Sequence, residues 1–306
     1  MTTEESLYRP EVVRWHQRIL ERYMPPSNIG LTVILPCSAR KPYSKSKSHQ
    51  NFRKYIKRGA KEKISLVHEV VLTSPLGLVP RELENIYPAA HYDVPVTGHW
   101  SYEEREIASK LLADYLSKTG KPAIAHVTGD YRKICGDLDI EMTDGGLGID
   151  ELMVLSQMIE KALVDIKPQK WNWRKGGIKA VCEFQFGKGA SEIMIPEEAV
   201  VRGNQVGIGR EQIAAINPTN GYLALSLSGG ELLKKFGKNR VTLSFKPETN
   251  SIFAVGVEDA DPGIRPNDEV VALYDGNVVG IGRAILNSRE LVNAKIGLAV
   301  KLRHHS

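Results

Sequence analysis

The sequence predicts an α/β protein in three parts: a three-layer sheet domain over residues 1–167, a small α+β linking domain over 168–239, and a β-barrel over 240–306. Three observations carry this. Strand-length apolar runs alternate with helical periods in the first half, the stretch from Lys167 to Lys175 turns basic and aperiodic, and short strands crowd together after Arg240. At 306 residues the chain has the length for roughly two to three domains of about 100 to 150 residues each.

In chain order, Pro10 to Tyr23 places Val12, Val13, His16, Ile19, Leu20 and Tyr23 on one helical stripe, with Pro10 suited to the first turn, where an N–H has no partner anyway. The runs Leu31 to Leu35, Ser65 to Thr73 and Ala123 to Thr128 have strand length. Between them, Ser48 is placed to cap a helix carrying Phe52, Tyr55 and Ile56 and ending at Gly59. Ser101 with Glu104 forms a capping box before Ile107, Leu111, Leu112, Tyr115 and Leu116. Asp150 to Ile166 is a third helix. Such alternation implies a parallel sheet covered on both faces, with its site in the loops after Leu35, Thr73 and Thr128. Farther on, Ile178 to Phe186 and Tyr222 to Ser226 read as strands and Glu231 to Phe236 as a helix. Strands are then expected at Arg240 to Phe245, Ser251 to Val257, Glu269 to Tyr274, Val278 to Leu286 and Leu298 to Arg303, with Asp275-Gly276 as a hairpin turn and a small helix at Arg289 to Lys295.

Composition excludes several classes. The chain is 42% hydrophobic and 25% charged, and no apolar stretch approaches the roughly 18 residues a membrane span requires. The first ten residues, acidic at Glu4 and Glu5, do not read as a signal peptide, so a cytoplasmic protein is expected. Cys37, Cys135 and Cys182 are odd in number and widely spaced, which supports neither a disulfide framework nor a zinc knuckle. His91 and His99 have no ligand spacing with another strong donor, so no metal and no cofactor are expected. The net charge of +5 permits a polyanionic partner without demanding one.

The stretch from Asp261 to Val270, followed by Gly280-Ile281-Gly282-Arg283-Ala284 and Gly297-Leu298-Ala299-Val300-Lys301, resembles a PUA domain, an RNA-binding barrel. Asn267 stands where that family commonly has glycine, and asparagine tolerates the same left-handed turn. Arg265, Arg283, Lys301 and Arg303 are the candidate RNA contacts; each is either a phosphate-facing cation or a solvated surface charge. Gly280 and Gly282 lie within a strand, which points to close barrel packing rather than a nucleotide loop. Phe184 to Ala190 is similar to the segment preceding the PUA domain in archaeal tRNA-guanine transglycosylases, which implies tRNA, through its D arm, as ligand.

Pro36-Cys37-Ser38-Ala39-Arg40-Lys41-Pro42-Tyr43-Ser44-Lys45-Ser46-Lys47-Ser48-His49 brings a thiol, a phenol, an imidazole, serines and cations together directly after a strand. It resembles the Pro-Cys-Ser-x-x-Lys-Pro-Tyr-x-x-Ser-x-Ser-His signature of the archaeosine synthase alpha subunit, as do Ser74 to Glu84 and Tyr87 to Asp93. Members of that family are often longer, with an N-terminal transglycosylase-like barrel, so the resemblance is to a short form. It implies a first domain like uracil-DNA glycosylase and a transferase that adds the side-chain amine of free lysine to the nitrile of 7-cyano-7-deazaguanine in tRNA, giving an amidine. A radical-SAM subunit would then act on the product.

Within that reading Cys37 is the candidate nucleophile, its thiolate favoured by Arg40, Lys41 and a following helix N-terminus, with His49 as acid/base; direct attack by the amine is the alternative. Ser38, Lys41, Tyr43, Ser46 and Ser48 are candidates to hold base or phosphate, or belong to a solvated loop. Asp130 and Asp93 are candidates for the lysine α-ammonium, or are turn formers. The competing functions are a noncatalytic tRNA-binding PUA subunit of a split tRNA-guanine transglycosylase and a glycosylase-like hydrolase.

Overall fold

The computed structural model describes residues 3–92, 98–168 and 171–305. Contacts divide the chain into two units, Met1–Phe184 and Gln185–Ser306. The first opens with helices α1 (Thr3–Leu7) and α2 (Pro10–Glu21), then runs β1 (Leu31–Pro36), α3 (Lys47–Ala60), β2 (Val67–Thr73), β3 (Gly77–Pro80), α4 (Tyr102–Thr119), β4 (Ala123–Ala125), α5 (Asp130–Cys135), β5 (Glu141–Met142), α6 (Ile149–Ala162) and α7 (Trp173–Phe186).

Strand alternation builds the two faces of the sheet. Leu31, Val33 and Leu35 share a core with Phe52 and Ile56 of α3 and Leu152, Leu155 and Ile159 of α6. Thr32 points the other way, its hydroxyl 3.4 Å from that of Tyr115 on α4. The strand order is β3-β2-β1-β4-β5. Strand β1 pairs in parallel with β2 on one side and β4 on the other. The chain thus winds outward in opposite directions from β1, and the crevice beyond the carboxyl ends of β1 and β4 is the switch point where α/β sheets bind ligands.

Three expectations for this unit need correction. The sheet is mixed rather than parallel, because Ser74 to Gly77 turns the chain back into the antiparallel edge strand β3, with Gly77 at φ +70° against Leu111. The segment expected as a strand at 178–186 lies in α7. From Cys182 to Phe186 apolar and polar residues alternate, which imitates a strand period, although Glu183 and Gln185 are buried along with their neighbours. The cap of α3 is Ser46, whose Oγ accepts the His49 N–H at 3.2 Å, two residues before the expected Ser48. The capping box of Ser101 and Glu104 forms as read.

In the second unit, α8 (Ala190–Met194) leads to an antiparallel sheet of β6 (Val200–Arg202), β7 (Gln205–Ile208), β8 (Glu211–Ile216) and β9 (Leu223–Leu225), followed by α9 (Leu227–Phe236). Strands β6 to β8 were not expected; at three, four and six residues they are too short for a period of two to stand out. A six-stranded sheet follows, built from β10 (Arg240–Leu243), β11 (Ser251–Phe253), β12 (Val257–Ala260), β13 (Glu269–Tyr274), β14 (Asn277–Ala284) and β15 (Leu298–His305), with α10 (Ser288–Asn293) between the last two. Its order is β11-β15-β14-β13-β10-β12 around one apolar core. Asp275-Gly276 makes the β13–β14 hairpin as expected, with both residues at positive φ. A Cβ on Gly282 would lie 2.2 Å from the Lys301 carbonyl, so close strand packing accounts for that glycine.

The α3–α6 contact, which carries the loop after β1, is set by Gly59. A Cβ there would stand 2.2 Å from the Ser156 carbonyl oxygen and 3.1 Å from the Ile159 Cβ. Gly59→Ala is expected to cost about 1 to 3 kcal/mol of stability, measured by urea denaturation, because backbone must move to admit one methyl group. A change below a few tenths of a kcal/mol would contradict this account of the helix crossing.

Candidate functional site

The segments leaving β1, β2 and β4 converge on one thiol. Cys37, the residue after β1, is partly buried. Its Sγ lies 3.1 Å from the hydroxyl of Tyr131 on α5, beyond β4. Thr73, the last residue of β2, lies beside the same thiol and favours its ionised form. The Thr73 hydroxyl bonds the Tyr92 hydroxyl, which is 2.6 Å from that of Tyr43. A line of exchangeable protons therefore runs from Tyr43 through Tyr92 to Thr73, next to Cys37. Lys41 sits 3.6 Å above the centre of the Tyr92 ring and donates to the Tyr92 carbonyl at 3.3 Å. The Tyr131 ring is held edge-on to Trp100, with centroids 5.2 Å apart.

Burial pushes the Cys37 thiol up from its ordinary range, against the opposing pull of hydrogen bonds from Tyr131 and Thr73 and of the Lys41 charge. The resting sulfur is thus a thiol, not the thiolate expected from nearby cations. Arg40 is exposed to solvent, where its field is weak. The Tyr131 phenol is also raised well above its usual range by burial and by Cys37, and stays protonated.

The acid/base role expected of His49 does not fit its surroundings. The imidazole is fully buried; its Nε2 donates to the Pro36 carbonyl at 3.0 Å and its Nδ1 accepts from Arg81 at 3.0 Å. Both nitrogens are occupied. Desolvation, with the Arg81 charge second, lowers its pKa to about 3. Arg81 in turn pairs with Glu69 and, at 2.8 Å, with Glu84, so His49 belongs to a buried brace beneath the site.

The other expected residues are distributed as follows. Tyr43 is in the proton line and wholly buried. Ser46 caps α3 and lies 3.2 Å from Ser48, while Ser38 closes its own turn on the Arg40 carbonyl at 3.0 Å. Asp130 accepts the Trp100 N–H at 3.0 Å and the Lys133 ammonium at 2.7 Å. These two partners hold its carboxyl below the usual range, Lys133 first, and make it the bracket that presents Trp100 to Tyr131. Asp93 lies outside the described residues. Tyr131, Thr73 and Tyr92 were not singled out from sequence, although Tyr131 stands in the loop expected after the third strand. No group of three metal-ligating side chains occurs among the described residues, and none of their helices is long and apolar enough to cross a membrane.

In the second unit the four cations differ in availability. Arg265 donates to the Pro262 and Ile264 carbonyls of its own turn, and Lys301 reaches Ser251 at 3.3 Å. Arg303 is committed to Glu269 through bonds of 2.7 and 2.8 Å. Burial pushes that carboxyl up to about 7, opposed chiefly by Arg303. Arg283 is exposed on β14 and makes no hydrogen bond from its side chain among the described residues. An open cavity of about 510 Å³ in this unit is lined by Ser226, Ser228, Asn250, Arg303, His304 and His305.

Comparison with known proteins follows the same division. Residues 12–153 match a domain of unknown function (DUF5591), residues 177–239 the patch-forming domain C2 of tRNA-guanine transglycosylase, and residues 246–306 the PUA domain. Archaeosine synthase subunit alpha of Methanosarcina acetivorans is 42% identical over 322 residues, covering 99% of this chain and 51% of that protein. The chain is a relative of the archaeosine synthase alpha subunits. The subunit of Thermococcus kodakarensis is 38% identical over 317 residues, covering 98% of this chain and 55% of its own length. The chain thus spans about half the length of the curated relatives it matches. A crystal structure of AF0587, a protein of unknown function, superposes with a TM-score of 0.70 at 27% identity, covering 95% of this chain and 98% of that one.

The buried His49 gives stability a pH dependence. Unfolded, the imidazole takes up a proton near pH 6.5; folded, only near 3, so its contribution is present above 6.5 and lost as the pH falls toward 3. Denaturation at pH 7.5 and 5.0 should differ by about 2 kcal/mol from this group. His49→Gln should flatten that part of the profile, and an unchanged slope in the variant would rule the assignment out.

Proposed function

We propose that the chain acts in archaeosine biosynthesis, binding tRNA through its PUA domain and adding the ε-amine of free lysine to the nitrile of 7-cyano-7-deazaguanine in the D arm. The observation that carries this reading is the Cys37 thiol at the switch point of the sheet, inside an intact Pro36 to His49 signature and hydrogen-bonded to Tyr131. Similarity to archaeosine synthase alpha subunits along the whole chain supports it.

The chemistry needs three things: an electrophilic nitrile carbon, a neutral amine and a proton for the nitrile nitrogen. Sulfur adds to the carbon, the nitrile π electrons go to nitrogen, and a thioimidate results. The lysine amine then attacks the same carbon, Cys37 leaves, and the amidine forms. Because lysine's amine has a pKa of about 10.4, only its small neutral fraction is competent, and pre-formation of the thioimidate lets that fraction meet an activated carbon. Asp130, with its carboxylate ionised at the strand end, and Asp93 are the proposed partners of the lysine α-ammonium. Ser38, Lys41, Tyr43, Ser46 and Ser48 shape and charge the loop that receives the base. The proposed partners are tRNA bearing the cyano base, free lysine and a radical-SAM subunit acting on the amidine, in the cytoplasm. A uracil-DNA-glycosylase-like first domain and the division at 167/168 and 239/240 complete the proposal.

A second reading, a noncatalytic tRNA-binding subunit of a split transglycosylase, is favoured by the match of residues 177–239 to the patch-forming C2 domain. Incubation with tRNA carrying the cyano base and free lysine, followed by nucleoside mass spectrometry, separates the two. A gain of one lysine supports the transferase and its absence with retained tRNA binding supports the second reading. Cys37→Ala should lower the gain at least about 100-fold if sulfur is the nucleophile.

The cations give a distinct expectation. Arg283→Ala and Lys301→Ala should each weaken tRNA binding and reduce the slope of log affinity against log salt by about 1. Arg303→Ala should instead cost about 1 to 3 kcal/mol of stability, since it leaves the buried Glu269 with the Leu225 N–H but without its guanidinium partner. Equal effects of all three on salt slope alone would overturn this division between phosphate contact and brace.

A further inference from the structure

With His49 enclosed, the reaction at Cys37 lacks a proton carrier, and one geometry in the first unit supplies it. Tyr131 enters from the far side of the switch point, at the start of α5 beyond β4, and its hydroxyl is 3.1 Å from Sγ. The phenol is not free to turn away. Trp100 packs edge-on against its ring, and Trp100 is itself held by the Asp130 carboxylate through its backbone N–H at 3.0 Å. Thr73, also beside the thiol, is engaged by the Tyr92 hydroxyl, which is itself 2.6 Å from that of the buried Tyr43. Tyr131 is the hydroxyl in direct contact with Sγ, carried at the start of α5 beyond β4.

We propose that Tyr131 is the catalytic proton carrier for Cys37, taking the thiol proton as sulfur adds to a nitrile carbon and giving its own phenolic proton to the nitrile nitrogen. This rests on the transferase reading and deepens it. The step balances: one C–S bond forms, one C–N π bond becomes a lone pair that is protonated, the S–H bond breaks, and Tyr131 ends neutral, having lost one proton and gained another. In the second half the same hydroxyl returns a proton to the departing sulfur as it accepts the one released by the lysine amine. No free thiolate and no tyrosinate accumulates, which suits a sulfur and a phenol that burial keeps protonated. A relay that moves two protons in concert avoids both charged states in a site of low dielectric.

The test uses the full chain, tRNA bearing 7-cyano-7-deazaguanine, and no lysine, so that the reaction stops at the covalent protein–tRNA adduct, read on a denaturing gel. Tyr131→Phe removes one oxygen and keeps the ring against Trp100. It should slow adduct formation by about 100-fold or more while tRNA affinity stays within a factor of about 2. The pH profile of Cys37 alkylation by iodoacetamide, followed by peptide mass spectrometry, should shift upward in the variant, because a hydrogen-bond donor to sulfur has gone. In the unsubstituted protein, adduct formation in heavy water should be slower by about twofold or more, a readout that needs no variant to fold.

Adduct formation by Tyr131→Phe at the original rate, with an unshifted alkylation profile and no solvent isotope effect, would overturn the assignment while leaving Cys37 as nucleophile. Lysine addition at full rate by Cys37→Ser would instead remove the covalent reading itself and this inference with it.

Discussion

The parallel pairing of β1 with both β2 and β4 is the constraint on which the site depends. Parallel strands deliver their carboxyl ends to one edge of the sheet, so residues far apart in sequence arrive together there. Cys37, Thr73 and Tyr131 each follow or end a different strand of this set, and they meet at a single sulfur. The register matters as much as the direction. Pairing of Pro36 with Leu72 leaves Cys37 level with Thr73, and a slip of one residue would turn the sulfur to the opposite face.

Much of this architecture was legible because local signals agreed with the global fold. Alternating helix and strand periods located β1, β2, α4 and α6, and the Asp275-Gly276 pair located the last hairpin. The loop carrying the thiol was legible from its residues, and so was the edge of the sheet where it had to lie. What stayed hidden has physical reasons. Apolar and polar residues alternate from Cys182 to Phe186 within a helix, which concealed α7. Strands of three to six residues hold too few alternations to mark a period, which concealed β6 to β8. The His49 role misread from the motif shows the limit of chemical identity as a guide: an imidazole near a thiol in sequence is a different object once a carbonyl and a guanidinium occupy its two nitrogens.

Several residues in the stretches that resemble archaeosine synthase are engaged in the scaffold. Arg81 and Glu84, both within the Ser74 to Glu84 stretch, form the brace under His49. Glu82 holds His68 at 2.8 Å and Tyr23 at 2.6 Å in the interior, where Tyr115 and Trp173 stack on the His68 ring. Buried ionic groups of this kind are costly to desolvate and specify one arrangement of their partners, so they fix where the neighbouring loop can run. The same economy recurs in the second unit, where Arg303 is engaged by Glu269 and Arg283 is left to solvent.

A sulfur kept as its conjugate acid has one more consequence. Peroxides, disulfides and electrophilic metabolites react with thiolates, and a site that withholds the anion is chemically quiet toward all of them. Cys37, held as a thiol by its partial burial, presents little of the anion these reagents require. The protonation state, rather than a covering wall, thus shields the residue that follows β1 from oxidative loss.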